Sequence, residues 1–161
     1  MAVGSFRFDA LARPAGTLRV DGRVVARRVA VADRPLSRLV GMLGTPDPGH
    51  DEALVITRCN WVHGVMLRAR IGVAFVDCHG TVLRVVDPLP ARGARCRGAV
   101  AVIEAASGVL HVRPGQQVRV DGTGVFPHDG HFASRGGGSI RARGALSGHR
   151  GHTAPIDDRR T

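Results

Sequence analysis

"IGVAFVDCHGTVLRVVDPL", residues 71–89, decides the fold. Two β-branched, apolar runs flank Cys78-His79-Gly80, and Asp87-Pro88 closes the second run. Runs of this length between turn residues read as strands, and a short Gly-containing connection pairs them as a hairpin. Working toward the N-terminus, "ALVITRC" (53–59) reads as a short buried strand. "TPDPGHDE" (45–52) before it is a turn-rich loop. "DRPLSRLVGMLG" (33–44) has Asp33 placed to cap, Pro35 in the first turn and Gly44 as a stop. Leu36, Leu39, Val40 and Leu43 form one stripe, so the spacing predicts a helix of two to three turns. "TLRVDGRVVARRVAVA" (17–32) alternates around Asp21-Gly22, a strong hairpin signal. Toward the C-terminus, "GAVAVIEAA" (98–106) is another strand, and "SGVLHVRPGQQVRVDG" (107–122) ends in a turn and a final strand.

These elements predict a small α+β, mostly β, single domain of six or seven short strands with one or two short helices. Residues 1–16 read as an N-terminal extension and 17–122 as the domain. From about residue 123 Gly, Arg, Ser and His displace apolar periodicity, and a disordered tail over 123–161 is expected.

The composition narrows the functions. All 23 basic residues are Arg, the formal net charge is +10, and 22 glycines accompany a complete lack of Lys; this points to a GC-rich bacterial genome. The charge is divided between residues 1–122 (+7) and the tail (+3), so neither owns a basic face. With no Tyr and five Phe, stacking platforms for bases are scarce, which disfavours nucleic acid as a partner. Three cysteines are an odd number, unsuited to a stapled secreted domain, and no apolar run approaches the roughly 20 residues of a membrane span. No signal-peptide core is visible at the N-terminus, so the cytoplasm is the expected location.

Chemistry-bearing residues concentrate in "RCNWVHGVMLRAR" (58–70). Cys59, the sole Trp61, His63 and Arg68, with Cys96 from a later strand, make a candidate ligand site. A guanidinium fork suits a carboxylate or phosphate, and an indole supplies an apolar wall. Four alternatives stand for the thiols: half-buried packing, a redox or disulfide pair, a metal site and a nucleophile. Packing is the leading one, because no tight Cys-x-x-Cys pair is present. Asp77 reads as a turn residue and Asp87 as a strand terminator. Glu104, among small apolar residues, is expected at an exposed edge. His128-x-x-His131 and His149-x-x-His152 have metal-like spacing but no fold to hold them.

"SRLVGMLG" (37–44), followed by Cys59, His63, Arg68, Phe75, Asp77, Gly80, Cys96, Gly98 and Glu104 in order, resembles the prokaryotic family known as domain of unknown function 192. The resemblance spans residues 17–120 and implies a small β-rich α+β fold, with no activity attached. Three positions depart from the family pattern: Ala69-Arg70, Gly72 where an Asp is usual, and Gly115-Gln116. The leading expectation is a non-enzymatic accessory protein that binds a small molecule or a protein, with no catalytic residue, metal or cofactor. The alternatives are hydrolase or thiol chemistry centred on Cys59, His63 and Arg68, and non-specific nucleic-acid binding.

Overall fold

The computed structural model describes residues 12–43, 45 and 48–126. In chain order the elements are β1 (Arg13–Pro14), β2 (Leu18–Val20), β3 (Arg23–Ala26), β4 (Arg28–Ala32), α1 (Pro35–Val40), β5 (Glu52–Thr57) and β6 (Trp61–Val62). They continue with β7 (Ile71–Val76), β8 (Val82–Val86), β9 (Ala94–Arg95), β10 (Ala101–Ala106) and β11 (Val118–Val120). The strand-rich single domain matches the expectation. The strand number rises to eleven among the described residues: β1, β6 and β9 pair over two residues each, too few to leave a periodic signal, and the single run 23–32 divides at Arg27 into β3 and β4.

The largest sheet has the order β1-β4-β5-β10-β7-β8. Only β4 and β5 run parallel in it, with α1 as their crossover; every other neighbour is antiparallel. Its central strands are buried along their whole length, so they read as unbroken apolar runs. On one face Val55, Val76, Ile103 and their neighbours pack against a second sheet, β11-β2-β3, through Leu18, Val20 and Val118. On the other face Leu54, Ile56, Phe75 and Val102 are covered by Met42 after α1 and by a two-stranded ribbon, β6-β9, through Val62 and Ala94.

The Asp21-Gly22 hairpin forms as expected between β2 and β3. Both turn residues have positive φ (47° and 81°), as a tight primed turn requires. Asp77 also acts as a turn residue, its Oδ1 accepting the backbone N–H groups of His79 (2.9 Å) and Thr81 (2.8 Å). Asp87 does more than end β8. Its carboxylate accepts Ser107 Oγ–H (2.5 Å) and the Gly108 N–H (2.8 Å), tying the end of β8 to the turn after β10. That carboxylate occupies the space a side chain on Gly72 would need, 2.7 Å from an ideal Cβ.

Two expectations about α1 are corrected. The helix is six residues long, and it starts without Asp33: the Arg34 N–H is satisfied by Ser37 Oγ (3.1 Å), while Asp33 faces Arg13 at 3.6 Å. The stripe does not bury, because Leu36 and Leu39 are 57% and 70% exposed, and Ser37 is the buried helical residue. Anchorage comes instead from the turn beyond, where Met42 enters the core.

At the N-terminus, Arg13 and Pro14 pair with β4, so the expected extension contributes an edge strand; residues 1–11 lie outside the described residues. At the other end the packed chain passes residue 122, since Val125 and Phe126 are buried in the main core. The remaining tail from 127, with its paired histidines, lies outside the described residues. No described helix is long and apolar enough to cross a membrane.

Candidate functional site

A cavity of about 330 Å³ opens on the ribbon-covered face of the sheet. Residues from Pro35 to Leu43 of α1 and its following turn form one wall. Ile56, Arg58 and Cys59 from the end of β5 form another, with Trp61, Val62, His63 and Leu67 opposite and Glu104 reaching in from β10. The register explains Glu104's place. It pairs with Leu54 on β5 and Val73 on β7, and side chains two apart share a face, so it joins Val102 on the ribbon-covered side.

The expectation of an exposed Glu104 is therefore overturned. The residue is 4% exposed in an interior strand, and its Oε2 accepts the Met42 N–H at 3.2 Å. Burial pushes its carboxyl up to about 7, with the Met42 hydrogen bond opposing the rise. Gly41, with φ of 50°, lets the turn pass this carboxylate, since a Cβ there would lie 3.2 Å from Glu104 Oε2.

Of the residues singled out in the sequence, Cys59, Trp61 and His63 line the cavity together. Trp61 is 52% exposed, at the rim rather than in the core, and its ring centroid is 5.6 Å from that of His63. The His63 Nδ1 is buried with no hydrogen-bond partner among the described residues. Cys59 donates its thiol to the Trp61 carbonyl at 3.1 Å. Burial pushes that thiol above its ordinary value, with the nearby Glu104 charge adding to the rise and Arg38 and the hydrogen bond acting against it. A thiol held protonated is a poor nucleophile.

Arg68 and Cys96 are not among the lining residues. Arg68 is exposed in the crossing from β6 to β7. Cys96 packs on the same core cluster as Cys59, and all three cysteines are free. No trio of His, Cys, Asp and Glu among the described residues is placed to hold a metal ion.

The site also includes two cations outside the expected set of ligand residues, Arg38 and Arg58, neither of which makes an ion pair with a described acid. The only available signal was their position, one in the helix before Gly41 and one beside Cys59. The ribbon that carries Trp61 is held close by Gly93 (φ 80°), whose missing side chain leaves room for the Val62 carbonyl.

The cavity is part polar, lies under the crossover helix and is set on one face of a two-faced β domain. Over residues 16–120 this chain belongs to the DUF192 family, described as uncharacterized ACR. Among solved structures it is similar to a proposed transcription regulator from Sinorhizobium meliloti 1021, at 18% identity and a TM-score of 0.62, over 71% of this chain and 99% of that one. It is also similar to a protein of unknown function from Novosphingobium aromaticivorans DSM 12444, at 19% identity and a TM-score of 0.54, over 73% and 93% of the two chains. At such identities the likeness shows the fold alone. No curated protein matches the chain.

Proposed function

We propose that this protein is a non-enzymatic accessory domain of the cytoplasm whose cavity holds a small amphipathic molecule. The observation that carries the reading is the cavity itself. It combines apolar walls from Leu39, Met42, Ile56, Val62 and Leu67 with a few polar groups, among them a buried ring nitrogen of His63 that lacks a partner. Ligand sites have this make-up, and a buried polar atom without a partner favours any ligand that satisfies it. In this reading Cys59, Trp61 and His63 touch the ligand, Cys96 supports the ribbon from the core side, and Arg68 guards the approach. Three free thiols suit a reducing compartment.

Nucleic acid is not the partner in this reading. The arginines are dispersed, and Arg13, Arg19, Arg27 and Arg28 are already engaged with acidic side chains.

Trp61 is the only indole in the chain, so its emission reports this site alone. Titrating the full chain with 1-octanol, a neutral apolar probe of suitable size, should give a saturable change in emission. Val40→Phe, which fills the cavity from a half-buried position on α1, should abolish it. An unsaturable or absent response in the parent protein overturns the reading.

A further inference from the structure

The proposed function leaves open which chemistry the ligand carries, and the charges around the cavity decide it. Arg38 and Arg58 both line it, and neither has an acidic partner among the described residues. Glu104, the only acid in the lining, is withdrawn to the sheet side and engaged by the Met42 N–H. Two unneutralised guanidiniums against one buried carboxyl give the cavity a positive character, and Arg is the side chain best suited to grip a carboxylate, phosphate or sulfonate. Met42, Ile56 and Leu67 add apolar wall to the same cavity. We infer that the cavity recognises a small monoanionic amphiphile, its acid group against Arg38 and Arg58 and its apolar body along the wall toward Glu104.

This inference rests on the ligand-binding reading and adds two demands to it. The first is headgroup selectivity. A cation would meet both guanidiniums, and a neutral headgroup would leave them as they are, so only an anion gains on entering. The second is a dependence on pH. The charged and titratable groups that share the cavity lining with Glu104 are Arg38 from α1, Arg58 and Cys59 from the end of β5, and His63 after β6. Burial holds the Glu104 carboxyl at about 7, so it is largely neutral at pH 6 and ionised at pH 8.5. Ionisation places a second negative charge in the cavity beside the bound one, so an anion should bind more weakly at the higher pH.

The test compares three probes with the same eight-carbon chain, octanoate, 1-octanol and octylamine, in Trp61 fluorescence titrations of the full chain. Octanoate should bind about tenfold or more tightly than either of the others, the magnitude of one charge-assisted hydrogen bond. Arg58→Gln, at an exposed position, should remove most of the preference for octanoate over 1-octanol. Arg38→Gln should do the same, which guards against one variant being compromised. Octanoate should bind several-fold more weakly at pH 8.5 than at pH 6, and Glu104→Gln should reduce this dependence; a dependence unchanged in that variant overturns the role given to Glu104. If 1-octanol binds as well as octanoate, or octylamine binds best, the anion inference is overturned while the binding reading survives. If none of the three binds, both fall.

Discussion

Glu104 provides the sharpest test of the physical picture. Its carboxyl is raised from the ordinary 4.5 to about 7 because it is buried in an interior strand. In the unfolded chain it ionises near its ordinary value, so between pH 4.5 and 7 the folded state binds more protons than the unfolded one. Stability therefore falls as pH rises through that window. A shift from 4.5 to about 7, at about 1.4 kcal/mol for each tenfold change in proton affinity, amounts to roughly 3 kcal/mol of stability lost by pH 8. Glu104→Gln removes the charge and keeps an oxygen for the Met42 N–H. Any cost of seating the amide is the same at every pH, so the informative quantity is the change in the variant's advantage with pH. Urea unfolding followed by circular dichroism at pH 4, 5, 6, 7 and 8 should show the Gln variant gaining about 3 kcal/mol relative to the parent from the lowest pH to the highest. Most of the gain should fall between pH 4.5 and 7. A difference that stays constant with pH would refute the argument that this carboxylate pays an uncompensated desolvation cost.

The rest of the fold makes comparable demands. Arg28 lies 2.6 Å from Glu52, whose side chain is 1% exposed; Arg28→Ala leaves that carboxylate with the Gly49 N–H, and unfolding should show a loss of about 1–3 kcal/mol. Phe75→Ala empties a fully buried site and should cost about 3–5 kcal/mol in the same assay. Leu36→Ser, on the exposed side of α1, should change stability by no more than about 0.5 kcal/mol; a loss as large as that of a core leucine would return the stripe to the interior. A chain ending at Gly122 should be less stable than one ending at Phe126 by about 2–4 kcal/mol, because it forfeits the burial of Val125 and Phe126. Equal melting behaviour would restore the earlier boundary.

What was legible in the sequence was local. Asp21-Gly22 and Asp77 to Gly80 carry turn chemistry within a few residues, and both hairpins form where expected. The fate of Glu104 depended on strand order instead. Composition makes it an odd residue in "AVIEAA", but only insertion of β10 between β5 and β7 determines that it has no solvent. The helix stripe failed for a related reason: periodicity shows that Leu36 and Leu39 share a side, not whether anything packs there. The candidate site was half visible. Cys59, Trp61 and His63 are neighbours in sequence, whereas Arg38 and Glu104 reach the same cavity from a crossover helix and a strand 66 positions apart, which no local pattern links.

Gly72 and Asp87 act as one unit of the fold. Ser107 and Gly108 hold the Asp87 carboxylate where a side chain at position 72 would stand. An acidic residue at 72 would force two carboxylates into one volume and break the tie to the turn after β10. The bare Cα of Gly72 is therefore a condition of the lock that joins the end of β8 to that turn, and neither position can be changed without regard to the other.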